Sequence, residues 1–249
     1  MTKKKLNVSI SHILNGDCIN IMRSIPDQSI DCIITDPPYN LGLFMHNRNT
    51  NLAKMRQNQF AYAGWDNLDY KEWKKSMMKF LLQCKRVLKK RGTLIIFMAI
   101  IKVADIIQLA EKVGFYYKTT GVWHKTNPMP RNMNIQFVNS TECWLYFING
   151  HTSGTFNNEG KVKHDFLESS VCPISEKKHG KHPTQKPLSI LKELIQSVTN
   201  PGEIVLDPFM GSGSTCVAAA LLGRRYFGIE LDKDYYEIAK ARIKEIEEL

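Results

Sequence analysis

The stretch Glu203-Ile-Val-Leu-Asp-Pro-Phe-Met-Gly-Ser-Gly-Ser-Thr215 decides the fold. Its short apolar start, closed by Asp207 and Pro208, reads as a buried parallel strand, and the small and apolar residues from Ser214 onward read as a helix. Between them, Gly211 and Gly213 permit a tight turn and let a ligand approach the backbone. A strand, a glycine turn and a helix in this order form the usual cofactor-binding unit of an open α/β sheet. The third glycine of the dinucleotide fingerprint is missing and no lysine follows, so neither NAD nor a P-loop is supported. The next apolar run ends on Glu230, where an acid can hold ribose hydroxyls. A glycine cap at an ordinary strand–helix junction is the alternative.

Working outward, apolar runs at 11–14, 30–35, 93–98, 117–123, 143–148, 203–207 and 226–230 read as seven strands. Helical spacing occurs at 70–88, 103–113, 188–197, 214–222 and 234–247. In the first of these helices Trp73, Met77, Phe80, Leu81, Cys84, Val87 and Leu88 recur on one face with lysines between them. Alternation of strand and helix predicts an α/β fold with a mostly parallel sheet and helices on both faces.

The second informative stretch is Asp36-Pro-Pro-Tyr39, directly after the strand at 30–35. Ligand sites in such sheets lie at the carboxyl ends of strands. Two prolines remove backbone donors and fix the chain, so the Asp36 carboxylate and the nearby carbonyls form a rigid set of acceptors beside an aromatic ring. That set suits a planar substrate bearing an amino group. Its hydrogens meet the acceptors, and the ring stacks on Tyr39.

Charge points the same way. The 249 residues carry a net charge of +10, which favours a polyanionic partner, nucleic acid before membrane. The six cysteines are scattered without metal-ligand spacing, so they read as reduced core residues of a cytoplasmic protein and no metal is expected. No apolar run approaches a membrane span, and the basic start at Lys3–Lys5 lacks the apolar core of a signal peptide. Two regions interrupt the α/β pattern. Residues 40–67 are polar and rich in Asn, Gln and Arg, with Phe44, Phe60, Tyr62 and Trp65 interspersed. Residues 127–181 are poorly periodic and end in Lys177-Lys-His-Gly-Lys. Long irregular stretches in a compact domain are commonly functional.

Asp36-Pro-Pro-Tyr39, His182-Pro-Thr-Gln-Lys-Pro187 and Asp207-Pro-Phe-Met-Gly-Ser-Gly213, in that order, resemble the β-class amino-methyltransferases of DNA. Gly16-Asp17-Cys18 and the segment from Trp123 to Pro130 are also similar to family segments. The resemblance spans nearly the whole chain as a single domain. It implies a Rossmann-like, S-adenosyl-L-methionine-dependent methyltransferase fold with circularly permuted motif order. By this likeness residues 127–181 are the target-recognition region, inserted in the domain, and 40–67 a DNA-contacting loop.

The carry-over follows the matching positions. Asp36 and the Pro37 carbonyl accept the amino hydrogens of the target base, with Pro38 completing the turn and Tyr39 stacking on the extruded base. Asp207, Phe209, Gly211, Ser212 and Gly213 shape the methionine end of the cofactor site, near Thr184 and Lys186. Glu230 takes the ribose, while Asp17 and Cys18 meet the cofactor's adenine. The implied substrate is N6 of adenine in double-stranded DNA, with single strands also open. N4-methylation of cytosine is the nearest alternative, usually accompanied by Ser before Pro-Pro. An RNA or protein amide methyltransferase is a further one, which the permuted motif order opposes. No Pro-Cys pair occurs, which removes the nucleophile of carbon-5 cytosine methylation. A homodimer and a cognate restriction endonuclease are left open as partners.

Overall fold

A computed structural model describes residues 6–41, 68–128, 134 and 137–248. The strands are β1 (His12–Asn15), β2 (Ile30–Thr35), β3 (Leu88–Met98), β4 (Tyr116–Lys125), β5 (Thr141–Ile148), β6 (Phe166–Ser169), β7 (Ile204–Asp207) and β8 (Arg225–Glu230). The helices are α1 (Cys18–Met22), α2 (Tyr70–Val87), α3 (Val103–Val113), α4 (Leu188–Val198), α5 (Ser214–Leu221) and α6 (Lys233–Glu247). The strands form one sheet in the order β1-β8-β7-β2-β3-β5-β4-β6. Pairing is parallel from β1 through to β3; β5 then runs antiparallel between β3 and β4, and β6 adds parallel to β4.

The central strands explain their own sequences. β7 is buried throughout and β2 nearly so, as expected of strands covered on both faces. Because side chains alternate, Leu94 and Ile96 of β3 enter one core while Ile95 and Phe97 enter the other. The first core is closed by α1, α2 and α3, the second by α4, α5 and α6. In α2 the stripe Trp73, Met77, Phe80, Leu81, Cys84 and Val87 is buried as its spacing predicts, and Asp69 caps the first turn by accepting from Lys71 N at 3.0 Å. Leu88 does not extend this helix. Its ψ of 134° turns the chain straight into β3.

Two expectations need correction. The described residues hold eight strands, not seven, because β6 pairs along β4 from Val122 to Lys125. A four-residue edge strand with one buried position, Leu167, carries too little alternation to be read from sequence. Residues 127–181 are also more regular than they read, since β6 lies inside them in addition to the strand expected at 143–148. Of the loop expected at 40–67, residues 42–67 lie outside the described residues.

The helix after β2 packs on one face and the helix after the neighbouring β7 on the other. A crevice therefore opens between the carboxyl ends of these two strands, the switch point at which open α/β sheets bind ligands. Asp36 and Asp207 stand at its two sides.

Candidate active site

The switch-point crevice is a cavity of about 520 Å³, within the range of roughly 300–1,000 Å³ typical of small-molecule sites. Asp36, Pro37, Pro38, Tyr39, Asp17, Cys18, Thr184, Lys186, Asp207, Phe209, Gly211, Ser212 and Glu230 all line it. Gly213 does not. It starts α5 at φ 80°, and a Cβ there would lie 2.9 Å from the Cβ of Ala239. Its missing side chain lets α6 pack against the turn.

The two motifs are bonded to each other at their base. Thr35 at the end of β2 donates its hydroxyl to Asp207 Oδ1 at 2.8 Å, and Phe209 N donates to the same oxygen at 3.1 Å. Asp207 is buried, which pushes its carboxyl up to about 6 against the pull of the Thr215 and Thr35 hydroxyls and the Phe209 N–H. Phe209 is steadied by an edge contact with Phe80 of α2, ring centroids 5.2 Å apart.

The glycine turn closes onto Glu230. Gly211 N donates to Glu230 Oε2 at 2.8 Å, and Asp232 N to Oε1 at 2.8 Å. Burial nevertheless raises the Glu230 carboxyl above its ordinary value. Gly211 has φ 53°, and a Cβ there would meet His182 Nε2 at 3.0 Å, so the turn and the histidine need a bare backbone. The His182 ring sits edge-on to Tyr235 at 4.3 Å between centroids, and burial with Lys186 nearby lowers it to about 4. At neutral pH it is therefore an uncharged wall of the cavity. Ser212 turns its hydroxyl away into a buried network, donating to Gln185 Oε1 at 3.0 Å and accepting from Arg242 Nη1 at 3.1 Å. Asp17 caps α1 by accepting from Asn20 N at 2.9 Å.

Around Asp36 the structure assembles charges that are far apart in sequence. Tyr39 donates its hydroxyl to Asp36 Oδ1 at 2.5 Å, and the Lys186 ammonium donates to Oδ2. Lys186 also lies 3.2 Å from Glu142 Oε2, whose partner oxygen is 2.5 Å from Lys125. Burial works to lower the lysine, but Asp36 and Glu142 outweigh it and hold it above its ordinary value. Burial raises the Asp36 carboxyl; Lys186 opposes that rise and Glu142 adds to it. Glu142 itself falls below its ordinary value, because Lys186 and Lys125 together overcome its desolvation.

Sequence reading missed Glu142. It stands at the start of β5, in the region taken for irregular, and only its place as a lone acid heading an apolar strand hints at a site. Gln185, Asp232 and Tyr235 line the cavity as well. Lys186, expected at the cofactor's methionine end, donates to the Asp36 carboxylate.

The family model for DNA methylase, of the N6 and N4 type, matches residues 30–241. The chain belongs to the DNA methylase family. It is 34% identical to the type II methyltransferase M.HinfI of Haemophilus influenzae, over 99% of this chain and 72% of that one. To the type II methyltransferase M2.DpnII of Streptococcus pneumoniae it is 32% identical, over 98% and 93%. The solved M1.HpyAVI–SAM complex superposes with a TM-score of 0.72 at 28% identity, covering 93% of this chain and 98% of the other. This DNA methylase is thus an S-adenosylmethionine-dependent DNA amino-methyltransferase. The cytosine-N4-specific PvuII DNA methyltransferase shares the fold as well, with a TM-score of 0.75 at 18% identity, covering 98% and 92%. The base that is modified therefore has to be argued from the site.

Proposed function

We propose that the enzyme methylates N6 of adenine in duplex DNA, with Asp36 as the acceptor that orients the amine. The observation that carries this reading is the placement of the Asp36 carboxylate and the Pro37-Pro38 turn in the same cavity as Gly211 and Glu230. The aspartate before Pro-Pro supports adenine, since the N4-cytosine enzymes it resembles usually carry serine there.

The residues present suit the cofactor. Gly211 leaves the backbone bare where a ligand approaches, and the Glu230 carboxylate, with about four acceptor directions, keeps capacity beyond its backbone donors. Asp17 and Cys18 line the same cavity beside Glu230, Gly16 N donating to the Glu230 carbonyl at 2.8 Å, and would lie along the cofactor's adenine. S-adenosylmethionine supplies an activated methyl on a sulfonium that leaves readily, so the enzyme's own task is to prepare the amine.

An aromatic amine is a weak nucleophile because its lone pair is delocalised into the ring. Asp36 and the Pro37 carbonyl would accept its two hydrogens, letting the nitrogen pyramidalise and stabilising the charge that develops on it. Holding the amine in line supplies much of the remaining acceleration. Extruding the base from the duplex costs roughly a few kcal/mol, partly offset by stacking on Tyr39. Basic residues neutralise phosphates, and residues 127–181 outside β5 and β6 read the target.

This reading places the enzyme in the cytoplasm. The six cysteines are free and buried, and among the described residues no helix is long and apolar enough to cross a membrane. The names of its type II relatives support pairing with a restriction endonuclease, and a homodimer is the oligomer to test first. Nucleoside analysis of DNA from cells expressing the gene tests the base. N6-methyladenine is expected, and N4-methylcytosine alone would overturn the reading.

A further inference from the structure

Both oxygens of Asp36 are engaged before any base arrives, Oδ1 by the Tyr39 hydroxyl and Oδ2 by the Lys186 ammonium. A cation on the acceptor works against methyl transfer, because positive charge develops on the attacking nitrogen and a neutralised carboxylate stabilises it less. For Asp36 to act at full strength, Lys186 has to withdraw. Its surroundings define where it can go. The ammonium is walled by the Phe97 and Tyr39 rings, 5.2 and 6.0 Å away at their centroids. Glu142 Oε2 lies 3.2 Å off, within ion-pair distance of the ammonium and with no other partner among the described residues. Lys125 grips the other Glu142 oxygen at 2.5 Å and holds this carboxylate in place. A buried cation between two partly buried carboxylates, one anchored and one needed for chemistry, has two sites to occupy.

We propose that Glu142 is a positioning residue that receives Lys186 when the substrate amine takes Asp36, so that an ion-pair exchange between two carboxylates frees the acceptor for methyl transfer. The exchange moves no proton and breaks no covalent bond; it rests on the reading of Asp36 as the amine's acceptor. In the empty site Lys186 opposes the rise that burial imposes on the Asp36 carboxyl. In the occupied site Glu142 keeps Lys186 from being left unpaired, a state that is strongly unfavourable in a buried setting.

Turnover on unmethylated DNA with radiolabelled S-adenosylmethionine, in wild type, Glu142→Gln, Lys186→Met and the double variant, tests this. Glu142→Gln should lower kcat by about 10–100-fold while KM for DNA and cofactor affinity stay within about 3-fold, the pattern of an interaction realised after binding. In the Lys186→Met background the same substitution should cost less than about 3-fold, because the residue acts through the lysine. Glu142→Asp, which keeps the charge, should recover part of the loss and guards against a misfolded Gln variant. An unchanged kcat in Glu142→Gln, or an equal loss in both backgrounds, overturns the exchange. Asp36→Ala in the same assay separates the two readings. If it is active, the acceptor role itself fails; if it is inactive beside a fully active Glu142→Gln, only the exchange fails.

Discussion

The Thr35 hydroxyl donates to Asp207 Oδ1 at 2.8 Å, across 172 residues of sequence. This bond ties the end of β2, which carries the proposed catalytic turn, to the end of β7, which carries the proposed cofactor turn. Any shift of one strand along the other would misalign the two halves of the cavity. Thr35→Val keeps the shape and removes the donor, leaving a buried carboxylate with one fewer partner. It should cost about 1–3 kcal/mol of stability by urea denaturation at neutral pH. A loss below a few tenths would show that the bond is dispensable.

Asp207 should also shape the pH dependence of stability. Its folded-state value of about 6 lies above the ordinary 3.8, so the folded protein binds this proton more tightly than the unfolded chain does. The stabilisation is fully present below about 3.8 and is lost as pH rises through about 6. At about 1.4 kcal/mol per unit, the buried charge costs on the order of 3 kcal/mol at pH 8. Asp207→Asn retains an acceptor for Thr35 and Phe209 and should flatten the stability curve between these two values. Denaturation midpoints of both proteins against pH measure it.

The two glycines of the turn separate by function. Gly213→Ala forces a side chain at φ 80° against Ala239 and should destabilise by about 1–3 kcal/mol, with cofactor affinity nearly unchanged in the folded protein. Gly211→Ala pushes on His182 at the cavity wall and should weaken S-adenosylmethionine binding at least tenfold, about 1.4 kcal/mol. Calorimetry and thermal melts on both variants should give opposite orders of effect.

Glu230→Ala removes the proposed ribose acceptor and the anchor of Gly211 N at once. Loss of a hydrogen bond to a charged group predicts about 1–3 kcal/mol of cofactor affinity. Unchanged binding in a calorimeter would take Glu230 out of the site.

Much of this was legible in the sequence because the strands meeting at the switch point are short apolar runs, each ending in a chemically distinctive residue. Asp36, Asp207 and Glu230 could be placed at strand ends from local pattern alone. Glu142 and the partners of Lys186 could not. Their meaning comes from the antiparallel placement of β5 against β3, with Met98 facing Cys143, which brings the start of β5 to the end of β3. No local spacing encodes that register. Gly213 illustrates the converse. A motif glycine reads as ligand-facing until its closeness to Ala239 shows that it serves helix packing.

Specificity and DNA affinity are separable too. Exchanging the segments of 127–181 outside β5 and β6 for those of a relative should transfer the target sequence and leave cofactor affinity intact. DNA affinity should fall steeply with salt, with a log–log slope of about −0.9 per phosphate neutralised. A flat response in a filter-binding titration would contradict the phosphate contacts.

The role of Asp36 is tested most directly by comparing turnover with cofactor affinity in Asp36→Ala. An acceptor that matters chiefly as the amine pyramidalises contributes more in the transition state than in the ground state. Methyl transfer to adenine should therefore fall by about 10²–10³-fold or more, as on removing one preorganised electrostatic partner. Affinity for S-adenosylmethionine should stay within a few-fold. Asp36→Asn sharpens the comparison, retaining slight activity if geometry dominates and almost none if the negative charge is required. A folded Asp36→Ala enzyme that methylates adenine at the wild-type rate would contradict the account.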